Sequence, residues 1–421
     1  MFPALKAVSN MTPVERIIRR IDSYKDAMIK LQVDLTAIPA LSPDNGGDGE
    51  FNKAQFILKY LTAMNFPDVL QINAPDGRTS SGIRPNLVVT IPGNNPSKTV
   101  WIMTHMDVVP PGEPELWDED PFKYYVKDGR VYGRGTEDNQ QDLVSSIFAA
   151  KALLDEGIKP ECSIGLAFVA DEETTSRFGL SYILQSNRNP FRKTDIIVIP
   201  DSGNEDGTMI ETAEKSILWL RFKTIGKQCH ASRPGLGKNA FQAASHLVVL
   251  LDGLHQTFAA SDPFYDPATS TFQPTKKEAN IPNINTIPGD DVFYMDSRVM
   301  PQYPLSHVIQ EIRGIADKIE KQFDVSIEIT TVQEAQAPPQ TPHDAPVVTA
   351  LKNAIRRVYN VEATPQGIGG GTIAAIFREH NYPAAVWSKM QHTAHQPNEN
   401  CLISNMVGNA KVYANLFLQE Q

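Results

Sequence analysis

At 421 residues the chain exceeds what one ordinary core accommodates, so two or three domains are expected. The composition, 41% hydrophobic and 21% charged, is that of a soluble globular protein, and no apolar run reaches membrane length. A net charge of -10, spread along the chain, argues against a nucleic-acid surface and suits a site whose carboxylates hold cations. Cys162, Cys229 and Cys401 show no paired spacing and the N-terminus has no apolar signal core, so a reduced, cytoplasmic setting is expected.

From Thr12 to about Phe66 the pattern is helical, with a Thr cap, Pro13 just inside it and a break at SPDNGGDG. NLVVTIPG and TVWIMTHM then read as strands, DLVSSIFAAKALLDEG as a helix ended by Gly157, and SIGLAFVA and TDIIVIPD as further strands. This rhythm predicts an α/β domain with a mostly parallel sheet and helices on both faces, its functional groups gathered at the carboxyl ends of strands. From about Lys215 the texture changes. KSILWLRFKTIG reads as a strand, NAFQAASHLVVLLDGLHQ as a helix and NINTIPGDDVFYMDSRV as two strands about a Pro-Gly turn. PLSHVIQEIRGIADKIEKQF and DVSIEITTV add a helix and a strand. The order β-α-β-β-α-β predicts an inserted ferredoxin-like unit, with the Pro-rich APPQTP leading out of it. The expected organisation is a catalytic domain in two parts, residues 1–213 and 338–421, interrupted by a unit at 214–337.

Five short motifs carry chemistry. THMDVVP sets His105 and Asp107 two apart on one face of a strand end, where an imidazole suits zinc and a carboxylate can orient it. Taken alone, it reads more simply as a capped strand end. GRGTEDNQQD places Glu137 and Asp138 before a helix, where acids ordinarily serve as caps. ADEETTSRFG sets Asp171, Glu172 and Glu173 side by side after a core strand, an arrangement that calls for compensating positive charge. IPDSG contributes Asp201, by itself an ordinary turn residue, and HTAHQPNEN contributes His392, His395 and Glu399 in a polar loop.

Together, in the order HxD, GRGTxD, DEE, PDSG and HxPNE, these motifs resemble the cocatalytic-zinc metallopeptidases. That family includes succinyl-diaminopimelate desuccinylase, acetylornithine deacetylase, aminoacylase and carboxypeptidase. The resemblance runs from about Leu31 to the C-terminus, and it implies two divalent metal ions, zinc by default with cobalt or manganese as alternatives. It implies that His105 and Asp201 hold one ion, Glu173 and His395 the other, and that Asp138 bridges them. Asp107 would orient His105, and Glu172 would be the general acid/base acting on a water between the ions. His392 matches no ligand position. Two cations about 3.5–4 Å apart can polarise an amide carbonyl and make hydroxide available near neutral pH.

In GKQCHASRPGLGKNA, His230 alone reads as a surface-loop residue. The resemblance implies that it reaches the active site of a neighbouring subunit and stabilises an oxyanion, hence a homodimer with a closing lid. Arg298 aligns with a lid arginine suited to a substrate carboxylate, against an alternative strand-end salt bridge. Asn283 or Asn285 could also face substrate. GIGGGTIAAIF lacks the lysine and spacing of a phosphate loop. The resemblance makes it a substrate-side loop offering Gly370 and Thr372. Many members carry an acid just after GGT, where Ile373 stands here, so detailed specificity does not transfer. The expected activity is hydrolysis of an N-acyl amino acid in the desuccinylase or deacetylase manner, with no nucleic acid or membrane as partner. A dipeptidase or carboxypeptidase is the alternative, and a non-catalytic metabolite-binding relative a more distant one.

Overall fold

The computed structural model describes residues 11–418. The expectation for the N-terminal signal region falls largely outside these. The chain divides into two units: one comprises the chain through Thr212, Thr341–Pro365 and the chain from Thr372, and the other Ala213–Gln340 with Gln366–Gly371.

In the first unit, Thr12 opens helix Pro13–Ser23 with a capping box. Its hydroxyl accepts from the Glu15 N–H at 3.2 Å, and the Glu15 carboxylate accepts from the Thr12 N–H at 2.7 Å. The helical stretch then breaks at Tyr24 and resumes as Lys25–Thr36 and Phe51–Ala63. Strands Cys162–Val169, Asn95–His105, Ile196–Asn204 and Ala384–Lys389 lie side by side in that order, all parallel. Leu87–Ile91 extends one side of this parallel core antiparallel, with Leu70–Gln71 antiparallel to it in turn, and Met209–Glu214 extends the other side antiparallel.

Alternation along the central strand explains why these runs are apolar throughout. Val100 and Ile102 enter one cluster with Leu143, Ile147 and Met406 of helices Gln141–Asp155 and Ile403–Phe417. Trp101 and Met103 enter another, with Leu180, Ile183 and Phe377 on the opposite face. Both faces are covered, so neither parity of residue can be polar. Gly165 is cross-strand neighbour to Trp101, and a Cβ there would lie 2.1 Å from the indole, so no side chain fits. No helix among the described residues is long and apolar enough to cross a membrane.

The second unit holds an antiparallel sheet in the order Thr271–Lys277, Asp290–Val299, Ser216–Ile225, Ser326–Ala335. Helices Ala240–Leu251 and Leu305–Phe323 cover one face, packing Leu247, Val308 and Ile312 on Leu218, Leu220 and Phe222. Trp219, between those inward residues, is 37% exposed within the unit's other face. The sequence order β-α-β-β-α-β holds, but its second strand is Thr271–Lys277. The expected strand in NINTI is only Thr286–Ile287, which pairs with Cys229–His230 in a separate ribbon. The true strand, TFQPTKK, sits at a sheet edge, where a proline is tolerated and apolar alternation is not required.

Candidate metal centre

Adjacent parallel strands deliver the first ligands to neighbouring carboxyl ends. His105 closes its strand opposite Val169, the residue just before Ala170–Glu173, and the Met106 N–H donates to the Val169 carbonyl at 2.9 Å. Asp201 lies on the next strand, Ile196–Asn204. Asp138 comes from the turn Thr136–Gln140, whose backbone is non-helical at Asp138 and Asn139 and whose Asp138–Asn139 peptide is cis.

These residues meet. His105 Nε2 is 2.9 Å from Asp138 Oδ1 and 3.3 Å from Asp201 Oδ1. His395 Nε2 is 3.0 Å from Asp138 Oδ2 and 3.1 Å from Glu173 Oε2. They form two groups, His105–Asp138–Asp201 and Asp138–Glu173–His395, with ligand atoms in each within 4.8 Å of one another and Asp138 common to both. The Asp107 carbonyl lies 3.0 Å from His105 Nδ1, so in the neutral ring Nδ1 donates and the Nε2 lone pair faces Asp138 and Asp201. The Asp107 carboxylate also accepts the Glu172 and Glu173 N–H groups at 3.1 and 3.0 Å, which ties the acidic turn to the His105 strand.

The electrostatics of this cluster call for cations. Burial pushes Glu173 up to about 8, with Asp138 adding to the shift and His395 opposing it. His395 is drawn up to about 10 by hydrogen bonds with Asp138 and Glu173. Burial works against a charged His105, yet Asp107, Asp138 and Asp201 lift it well above its ordinary value. Glu172 belongs to neither group. Burial holds its carboxyl well above the ordinary range, Asp201 adding to this, His105 opposing it, and Glu173 and Asp138 adding again. Glu173 Oε1 is buried with no hydrogen-bond partner among the described residues, as an open ligand atom would be. Carboxylates and imidazoles in this number and closeness fit a pair of divalent cations.

Several supporting residues were not assigned from sequence. Asp171 is buried at φ +63° and gathers the hydroxyls of Thr174 and Thr175 and, at 3.1 Å, the Phe178 N–H. Behind it, Arg84 makes a fork with Glu50, both fully buried, and Glu50 Oε1 accepts the Asp171 N–H at 3.2 Å. Arg84 Nη2 also lies 3.5 Å from Asp171 Oδ1. Glu399 accepts from the N–H groups of Gly135, Glu137 and Asp138 at 3.0, 2.9 and 3.0 Å, and from Arg134 Nη1 at 2.6 Å. In return Glu137 accepts from the N–H groups of Gln391, Thr393 and Ala394 and from the Thr393 hydroxyl. Glu399 stood within the quoted HxPNE motif and Glu137 beside Asp138, but their partners lie far off in sequence. His392 is exposed and belongs to neither ligand group.

The remaining predicted residues, Thr372 apart, lie in the second unit. His230 is exposed, and its Nδ1 accepts from the Ser232 N–H at 3.1 Å. A backbone N–H only donates, so the neutral ring carries its proton on Nε2 and presents a donor there. The Arg298 fork is engaged by Asp296 at 2.7 and 3.0 Å, the salt-bridge arrangement weighed as its alternative, and Nη1 donates to the Gly369 carbonyl at 3.1 Å. The Asn283 amide donates to Asn285 Oδ1 at 2.7 Å and Thr286 Oγ1 at 2.6 Å. Gly370 is half-buried. Thr372, in the first unit, precedes Ile373, whose side chain lies in the apolar cluster around Phe377.

The profile of Peptidase family M20/M25/M40 matches residues 101–419. The chain belongs to this family. Members of the M20 family are metallohydrolases, and this chain is an enzyme of that class. An uncharacterized metallohydrolase of Methanococcus maripaludis is 41% identical over 94% of this chain and 99% of its own length. Succinyl-diaminopimelate desuccinylase of Polynucleobacter necessarius is 24% identical over 92% of this chain and 97% of its own. Among solved structures, human carnosine dipeptidase 1 shares the fold at a TM-score of 0.78, with 18% identity, covering 97% of this chain and 98% of that one.

Proposed function

We propose that this M20 enzyme hydrolyses the amide bond of an N-acyl amino acid, in the manner of a desuccinylase or deacetylase. The observation that carries the reading is Glu172, a half-buried carboxyl beside two ligand groups and part of neither. His105, Asp138 and Asp201 would hold one divalent cation and Asp138, Glu173 and His395 the other. Zinc is the proposed ion, and cobalt or manganese is compatible with the same ligands. Bound there, the pair supplies Lewis acidity toward the amide carbonyl and lowers the pKa of water toward about 7. Glu172 takes the proton of the attacking water and returns it to the leaving nitrogen. Asp107 holds His105 in the tautomer whose Nε2 is free and fixes the Glu172 backbone. Arg298, released from Asp296, would take the substrate carboxylate, and Asn283, Gly370 and Thr372 are each proposed as substrate-binding residues.

A dipeptidase or carboxypeptidase reading uses the same centre. A panel of N-succinyl and N-acetyl amino acids, dipeptides and C-terminally varied peptides separates the two readings, run before chelation, after it, and after return of zinc, cobalt or manganese. Hydrolysis that chelation abolishes and metal restores is the expected result. Unchanged turnover after chelation, or no hydrolysis of any substrate by metal-loaded protein, refutes the proposal.

His230, through its Nε2–H, would stabilise the developing oxyanion in a second copy of this chain within a homodimer. His230→Ala is expected to lower kcat by about 10²–10³-fold, the effect of removing one oxyanion donor, with metal content unchanged. Mixing it with inactive Glu172→Ala should then recover activity as subunits exchange. Full activity in His230→Ala alone removes this role.

A further inference from the structure

The loop that carries Asp138 and the loop that carries His395 each place a buried carboxylate on the other's backbone. Asp138 and Asn139 have non-helical dihedrals, φ -112° and -132°, so their turn cannot satisfy its N–H groups by regular helix bonds. Buried N–H groups need acceptors, and Glu399 supplies them from across the chain. Its Oε1 accepts from Glu137 and Asp138, and its Oε2 from Gly135 and Arg134. A carboxylate has about four lone-pair sites, so Glu399 is saturated and is no ligand itself. Glu137 does the same for the other loop, with Oε1 on Gln391 and Oε2 on Thr393 and Ala394, just before His395.

We propose that Glu137 and Glu399 are positioning residues that divide control of the two ion sites. The inference rests on the two-ion reading above. Glu399 fixes Asp138, which both ligand groups share, whereas Glu137 fixes the loop of His395, which belongs to one group only. The arrangement therefore acts unequally: loss of Glu399 disturbs both sites, and loss of Glu137 disturbs the Asp138–Glu173–His395 site alone. A general contribution to folding would not sort the two sites in this way.

The test uses the full-length chain with Glu137→Gln and Glu399→Gln, isosteric amides that lose the charge and half the acceptor capacity. Zinc is bound in metal-buffered titrations, and ions per chain are counted by elemental analysis, with thermal melts as a fold control. Altering outer groups of this kind weakens metal binding by about 10–100-fold. Glu137→Gln is expected to weaken one of two sites by that factor and leave the other at wild-type affinity, whereas Glu399→Gln weakens both. If Glu137→Gln melts early, Thr393→Val, which removes a hydroxyl shared between Glu137 at 2.9 Å and the Asn400 carbonyl at 2.7 Å, should show a smaller loss at the same single site. Equal weakening of both sites in Glu137→Gln and Thr393→Val, or no weakening in either, overturns the proposal. Wild-type protein that binds fewer than two ions overturns the two-ion reading instead, and this inference with it.

Discussion

Glu172→Ala is expected to retain two ions per chain and lose about 10²–10⁴-fold in kcat, the range for a deleted general acid/base. The side chain belongs to neither ligand group, and its backbone N–H is held by Asp107 at 3.1 Å irrespective of what the side chain is. Neither the turn nor the ligands should therefore move. Its neighbour behaves differently. Glu173 approaches His395 Nε2 at 3.1 Å within the second group, so Glu173→Ala should lose one ion and activity together. Elemental analysis beside turnover separates the two variants. Comparable ion loss in both would show that the adjacent glutamates are not divided between base and ligand.

Arg84→Met is expected to destabilise the first unit by about 3–5 kcal/mol, because it leaves two buried carboxylates without their cation. Arg84, Glu50 and Asp171 are all fully buried. The guanidinium donates to Glu50 Oε2 at 2.6 Å and lies 3.5 Å from Asp171. For a unit of this size the loss corresponds to a fall in Tm on the order of 10 °C, read by calorimetry on metal-free protein. Glu50→Leu combined with Arg84→Met should recover part of it, since an apolar pair needs no partner. A melt within about 2 °C of wild type for Arg84→Met would mean that water or another cation already serves these acids. The position matters for chemistry as well as stability, because Asp171 is the residue from which Glu172 and Glu173 project.

Much of the architecture was legible because the physics was local. SIGLAFVA and TVWIMTHM read as buried strands since both of their faces are covered, and the Thr12 capping box announced its helix. The five motifs also pointed to one crevice, because adjacent parallel strands end together. What stayed hidden depended on distance or exposure. The strand Thr271–Lys277 is an edge, where Pro274 and two lysines cost little, so its sequence lacks the usual alternation. Glu137 and Glu399 resembled caps or loop acids, and their acceptors' work became visible only once residues far apart in sequence were neighbours. Arg84 lies in no motif, and its part in the site shows only with Glu50 and Asp171 packed against it. For Arg298 the sequence left a substrate carboxylate and a strand-end salt bridge open, and Asp296, two residues before it, occupies the fork.

The two ligand groups differ in what they are built on. His105 ends a strand in the parallel core and its side chain is 1% exposed, whereas the His395 side chain, on a polar loop, is 54% exposed. Local opening draws on the least buried parts of a fold, so parting the His395 loop breaks the hydrogen bonds that Glu137 accepts from it, while freeing His105 means breaking the core itself. The centre thus has a stiff half and a supple half, joined at the carboxylate of Asp138.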